Sequence, residues 1–275
     1  SILFPDQKGK FTETKDEGML LFDDNGDGKP DLYIASGGYK SAPGSPNYQD
    51  RLYINDGKGN FTLAANALPT DHTSKLCVRA VDYNKDGKLD LFVSGRVDPW
   101  NYPRPVSSCI LRNDSQNGAV KFTNVTSEVA PALTNIGMVC DGLFTDFDSD
   151  GWPDLVAVAL VMDAKPETLA QSSFVVYGAK DGFSAQSRRE RVDNLGASAH
   201  TADLNRDGWL DLLFVDKRGY VLVYLGGAGG FSPERTMKIP CPTLEDNGWA
   251  NTADLDGDGW LELIVTTMGH YSGRK

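Results

Sequence analysis

Asp23, Asn25, Asp27 and Asp31 stand at positions one, three, five and nine of a nine-residue stretch with glycine at position six, and the arrangement occurs five times. The second copy carries Asp82, Asn84, Asp86 and Asp90, and the third Asp146, Asp148, Asp150 and Asp154. The fourth carries Asp203, Asn205, Asp207 and Asp211, and the fifth Asp254, Asp256, Asp258 and Glu262. Oxygens on alternate residues of a short loop suit a hard cation, which takes six to eight of them at about 2.3–2.6 Å. Position seven adds a backbone carbonyl, from Lys29, Lys88, Trp152, Trp209 and Trp260. Glycine at position six (Gly28, Gly87, Gly151, Gly208, Gly259) permits the positive φ of a sharp turn. A single copy reads equally well as a solvated acidic turn. Five copies in one chain read as five Ca2+ sites.

Two other calcium motifs are excluded. A helix–loop–helix calcium site needs Glu at position twelve and a following helix. Position twelve is Ile34, Val93, Ala157, Phe214 and Val265, within apolar runs rich in β-branched residues. Repeats of calcium-binding β-helices are far shorter than the 51 to 64 residues between these loops.

The formal charge of −11 is concentrated in these loops, whose ligand positions hold seventeen of the 38 acidic residues. Five divalent cations would leave about −1, so the charge is local to the loops and argues against nucleic acid as a partner. No run of 18 apolar residues occurs, which argues against membrane insertion. Loops of modest calcium affinity work where calcium is millimolar, which points to an extracellular, secreted or cell-surface setting, or to a periplasm. The four cysteines, Cys77, Cys109, Cys140 and Cys241, show no zinc spacing. They leave disulfides and buried thiols both open.

The elements that position the loops follow from the spacing. Each loop is preceded by a strand-like segment and followed by an apolar one, such as LYIASG, LVAVAL or LIVTT. A hairpin with a Gly-rich turn comes next, at residues 51–64, 108–125, 173–186 and 220–234. Units of four short strands at this period predict blades of an all-β propeller. The fifth unit lacks its hairpin, whereas residues 2–14 have the shape of one. We therefore expect a single domain over residues 1–275, with five four-stranded blades and the N-terminal hairpin closing the last. The expected blades are residues 15–66, 75–127, 137–188, 197–235, and 247–275 with 1–14. An arc of a longer propeller is the alternative.

The loop D-x-D/N-x-D-G-x-x-D-L, followed by L-x-x-N-x-G-x-G-x-F-T, resembles the FG-GAP or VCBS repeats of integrin α-chain propellers and secreted bacterial proteins. The resemblance covers essentially the whole chain. It implies a propeller, bound calcium and an extracellular setting. Integrin-type propellers usually have seven blades, and their Phe-Gly and Gly-Ala-Pro landmarks are not clear in this sequence.

In such a propeller the acidic loops share one face with the hairpin turns, and the remaining connections lie on the opposite face. Two of those connections, residues 37–50 and 95–107, are long and rich in Pro, Tyr and Arg. Long loops on a rigid scaffold concentrate binding. Tyr39, Arg96, Asp98, Trp100, Tyr102 and Arg104 offer aromatic faces for sugars and guanidinium forks for carboxylates. The bland reading is a loop packed on itself. Strand alternation also brings Arg79, Asp141, His200 and Asn251 toward the central channel. The favoured expectation is a binding module for a protein or carbohydrate ligand, with oligomeric state unspecified. A polysaccharide lyase or hydrolase using Arg79 and His200, and a structural spacer, are the rivals. No nucleophile elbow, P-loop or zincin motif is present.

Overall fold

A computed structural model describes residues 14–160, 173–232, 234–241 and 248–267. The first blade is β1 (Lys15–Phe22), β2 (Asp31–Gly37), β3 (Arg51–Asn55) and β4 (Phe61–Leu63). The second is β5 (Ser74–Val81), β6 (Asp90–Val97), β7 (Cys109–Asn113) and β8 (Phe122–Asn124). A four-residue helix, α1 (Thr126–Val129), leads to the third: β9 (Val139–Thr145), β10 (Asp154–Ala159), β11 (Ser173–Val176) and β12 (Arg189–Val192). The fourth is β13 (Ala199–Ala202), β14 (Asp211–Asp216), β15 (Tyr220–Tyr224) and β16 (Thr236–Pro240), and β17 (Gly248–Ala253) pairs with β18 (Glu262–Thr267). Within each blade, successive strands pair antiparallel.

The first strands pack in a row, β1 on β5, β5 on β9, β9 on β13 and β13 on β17, as around a propeller channel. Each second strand is sandwiched between neighbouring blades. Every residue of β2, β10 and β14 is buried, which explains their continuous rather than alternating apolar pattern. Four apolar clusters fill the seams. Tyr33 and Leu52 meet Val78 and Leu91 between blades one and two, and Phe92 meets Leu155 between two and three. Val156 and Phe214 share the next seam, and Leu213 and Ala250 the last. Fully burying side chains of this size contributes about 1.5–3 kcal/mol each. The first two blades approach so closely that a Cβ on Gly37 would lie 1.9 Å from the Lys75 carbonyl oxygen.

The hairpins of blades one and two fall where the sequence predicts. Those of blades three and four are longer. Their fourth strands are Arg189–Val192 and Thr236–Pro240, beyond the expected ends at 188 and 235. The Gly-rich segments are wide loops rather than tight turns. Arg235 fastens one of them by donating to the carbonyls of Gly226 (2.9 Å) and Gly230 (3.2 Å). Residues 2–13, expected to form the closing hairpin, and the connection 162–172 lie outside the described residues. All four cysteines are free. Burial pushes the Cys77 thiol up to about 11 and that of Cys140 to about 12.

Candidate metal centres and ligand face

The five acidic loops share one backbone. Position six is left-handed in every copy, with φ between 79° and 90°. So is position four, at Gly26, Lys85, Ser149, Arg206 and Gly257, which the sequence pattern did not flag. These two reversals curl the loop so that its amides point inward. The position-six amide donates to the first Asp in all five, at 2.8, 3.0, 2.8, 3.0 and 2.9 Å. The position-seven amide donates to the position-five carboxylate at 2.7–2.9 Å throughout. These bonds orient the first and fifth carboxylates of every loop.

Position nine does more than the ligand role expected of it. Asp31, Asp90, Asp154 and Asp211 are fully buried. One oxygen accepts an amide at or just past the end of the blade's third strand, from Asn55, Asn113, Gly178 and Gly226, at 2.8, 2.7, 2.8 and 2.9 Å. The other accepts the position-two amide, from Phe147 at 2.7 Å and Leu204 at 2.9 Å. Glu262 repeats this with the Leu255 amide at 2.7 Å. The carboxylate thus staples its own loop to the hairpin of the same blade.

Oxygen-only donors and gathered negative charge fit a hard cation. Among the described residues, Asp146, Asp148 and Asp154 bring carboxylate oxygens within 4.8 Å of one another, as do Asp254, Asp256 and Glu262. The loops with Asn at position three replace one carboxylate by an amide, and Asn84 and Asn205 donate to Asp86 (3.1 Å) and Asp207 (3.0 Å). Burial, with neighbouring acids adding to it, pushes Asp90 and Asp154 up to about 7. A divalent ion would offset that cost directly.

Two cation–π contacts join adjacent loops. The Lys85 ammonium lies 4.4 Å from the Trp152 ring centroid, and the Arg206 guanidinium 4.2 Å from that of Trp260. Each links position four of one loop to position seven of the next. At an exposed site such a pair contributes about 0.5–1 kcal/mol. A double-mutant cycle of Lys85→Ala and Trp152→Ala in urea unfolding should return that coupling. Additive losses would mean that the two side chains act independently.

On the opposite face, a cavity of about 660 Å³ is lined by Tyr39, Arg96, Trp100 and Tyr102, with Lys15, Glu17, Leu76 and Met138. The two long loops therefore bring four of the expected ligand residues together. Tyr39 is 67% exposed, Trp100 72% and Tyr102 50%, so each ring presents surface to solvent at this cavity. Trp100 holds a left-handed φ of 69°, an uncommon conformation for a bulky residue. Arg96 donates to the carbonyls of Met138 (3.1 Å) and Leu160 (2.8 Å), which anchors the base of the cavity. Asp98 and Arg104 pair with each other at 3.3 Å in an adjoining recess.

The channel residues do not converge on one point. Arg79 pairs with Asp141 across blades two and three, and its Nε donates to the Gly142 carbonyl at 2.9 Å. His200 Nε2 lies 3.0 Å from the Thr252 hydroxyl, across blades four and five. Burial holds His200 below its ordinary value, so it is neutral near pH 7. Both side chains are engaged in bridging inner strands.

One network escaped the sequence reading. Lys75 is 1% exposed and donates to the carbonyls of Tyr48 (2.9 Å) and Asp71 (2.7 Å), with Asp50 at 3.6 Å. Asp50 also accepts the Tyr33 hydroxyl at 2.6 Å and the Ser36 amide at 2.8 Å. It ties the end of the loop carrying Tyr39 to β2. Nothing in the residue pattern marked Lys75, which sits among apolar neighbours like an ordinary edge lysine.

The repeated acidic loop, its cradle of amides and the blades around it define a repeat protein of the propeller type. The family model for the FG-GAP-like repeat matches residues 23–93, 146–214 and 203–265, more than half of the chain, and the chain belongs to that family. Human integrin alpha-7 is 28% identical over 171 residues, 58% of this chain and 14% of that protein, so this chain spans a small part of its relative's length. Among solved structures, one describing specific recognition of non-reducing terminal N-acetylglucosamine by an Agrocybe aegerita lectin matches with a TM-score of 0.54 and 17% identity. That match covers 95% of this chain and 63% of the other, and reflects a shared fold. A GH43 β-1,3-galactosidase with galactodeoxynojirimycin matches at 0.47 and 13% identity, over 92% of this chain and 86% of the enzyme.

Proposed function

We propose that this chain is an extracellular, calcium-braced propeller of five blades that binds a carbohydrate on the face opposite its acidic loops. The observation that carries the ligand reading is the ring of exposed aromatics, Tyr39, Trp100 and Tyr102, around one concavity. Aromatic faces stack on the C–H faces of sugars, and Lys15, Glu17 and Arg96 supply polar groups at the same cavity. Kinship with the FG-GAP-like family and integrin alpha-7 supports an extracellular binding role and calcium at the loops. The likeness to a lectin supports the fold alone.

Ring closure by the N-terminal hairpin has its own support. Met19 and Leu21 on β1 point away from the first seam and are 70% and 60% exposed. Trp249 and Ile264 on the last described strands are likewise exposed, opposite the side that packs on blade four. Two apolar flanks at the two ends of the row are what a closing seam would cover.

A glycan array followed by titration tests the function. Trp100→Ala should weaken binding of any sugar hit by about 30-fold or more, equivalent to about 2 kcal/mol for a central aromatic contact, with the melting temperature unchanged. A blank array with a folded protein, together with a protein captured through Trp100, would replace the carbohydrate reading by a protein ligand.

A further inference from the structure

Position two of the acidic loop is apolar in four copies, Tyr83, Phe147, Leu204 and Leu255, and is Asp24 in the first. Tyr83 and Phe147 are buried in the seams between blades. Asp24 occupies the same kind of slot and is only 3% exposed. Neither of its carboxylate oxygens has a hydrogen-bond partner. Its backbone is held, since the carbonyl accepts from Asn113 Nδ2 at 2.8 Å. The side chain is therefore buried with neither oxygen paired to a donor, a costly arrangement for an ionised carboxylate.

The Asp24 carboxyl lies against that of Asp31. The Asp24 amide is 3.4 Å from the Asp31 carboxylate, where the third, fourth and fifth loops have 2.7, 2.9 and 2.7 Å and the corresponding oxygen of Asp90 in the second loop has no partner. Two facing carboxylates, one of them buried and unpartnered, leave room for something that accepts oxygen donors from both.

We propose that Asp24 is a metal ligand: a hard divalent cation at the first loop takes the carboxylates of Asp24 and Asp31 together, a donor pair that no other loop offers. This rests on the calcium reading of the loops and makes the first of them distinct. Its side chains then supply four carboxylates, Asp23, Asp24, Asp27 and Asp31, the number that the third and fifth loops reach without any contribution from position two. The added charge raises affinity for a hard cation, so this loop binds more tightly than it would with the apolar residue that the other copies carry at position two.

The test is calorimetric titration of Ca2+ into the chelator-stripped full chain, with Asp24→Asn and Asp24→Leu beside it. Leucine is the residue that the fourth and fifth loops carry, and asparagine keeps the shape if leucine unsettles the seam. The expected result is the weakening of one calcium step, at least tenfold in Asp24→Leu and less in Asp24→Asn, with the remaining steps unchanged. In EDTA both variants should melt above the unsubstituted chain, because the unpaired buried carboxylate has gone. A higher melting temperature in EDTA with an unaltered calcium isotherm would overturn the proposal, leaving Asp24 a protonated seam residue. If the unsubstituted chain takes up no calcium, the reading of all five loops fails, and that result is visible without the variants.

Discussion

In excess EDTA at pH 7.5, the melting temperature of this chain should fall by roughly 20 °C or more from its value in millimolar calcium. A site a hundredfold above its dissociation constant stabilises the folded state by about 2.7 kcal/mol. Five such sites together approach the whole net stability of an ordinary domain, about 5–15 kcal/mol. The pH dependence should reverse with the ion. Without it, Asp90 and Asp154 titrate near 7 in the folded chain, above the usual carboxylate value, so the folded state holds protons that the unfolded state releases. Stability in EDTA therefore falls as pH rises from about 4 to 7. In calcium it should rise over the same range, because protons compete for the ligands. Differential scanning calorimetry at pH 5 and 7.5, with and without EDTA, reads all four conditions. A melting temperature indifferent to chelation would sink the calcium reading.

Asp211→Ala should cost about 3–5 kcal/mol in EDTA as well as in calcium, whereas Asp203→Ala should cost comparably only in calcium. The difference lies in what each carboxylate holds. Asp203 is partly exposed and accepts only amides of its own loop, at 3.2 and 3.0 Å from Asp207 and Gly208. Water can replace it there. Asp211 is fully buried and accepts the amides of Leu204 and Gly226, which belong to the loop and the following hairpin. Truncation leaves two amides without their partner, each costing about 1–3 kcal/mol. Urea unfolding midpoints for the two variants, each with and without EDTA, separate these roles. Equal losses in EDTA would mean that the ninth position is only a ligand.

The fold was legible because two periodicities agree. The loop recurs at blade spacing, and the first four copies run into strands whose unbroken apolar character reports burial on both faces. The hairpins of blades three and four were harder to read. Glycines at 226, 227, 229 and 230 signal a turn without fixing its width, which Arg235 sets from outside the Gly-rich run. The two long loops could be singled out by composition, and their rings do share a cavity. Lys75 could not be singled out, because its environment comes from Tyr48, Asp50 and Asp71, brought to it by the fold. Asp24 was visible in principle. Aligning the five loops exposes one acid in an apolar column, a signal that comparison of copies gives and a reading of ligand positions alone does not.

The staple at position nine has a consequence for how the chain matures. The carboxylate is held in place by an amide supplied by residues 15 to 24 positions further along the chain. An excised nonapeptide containing a loop has the ligands but lacks that clamp, and should bind calcium far more weakly than the blade. During synthesis, each proposed site would become competent only after its hairpin has emerged and paired. Ion uptake would then act as a checkpoint on assembly, passing finished blades and leaving incomplete ones unlocked.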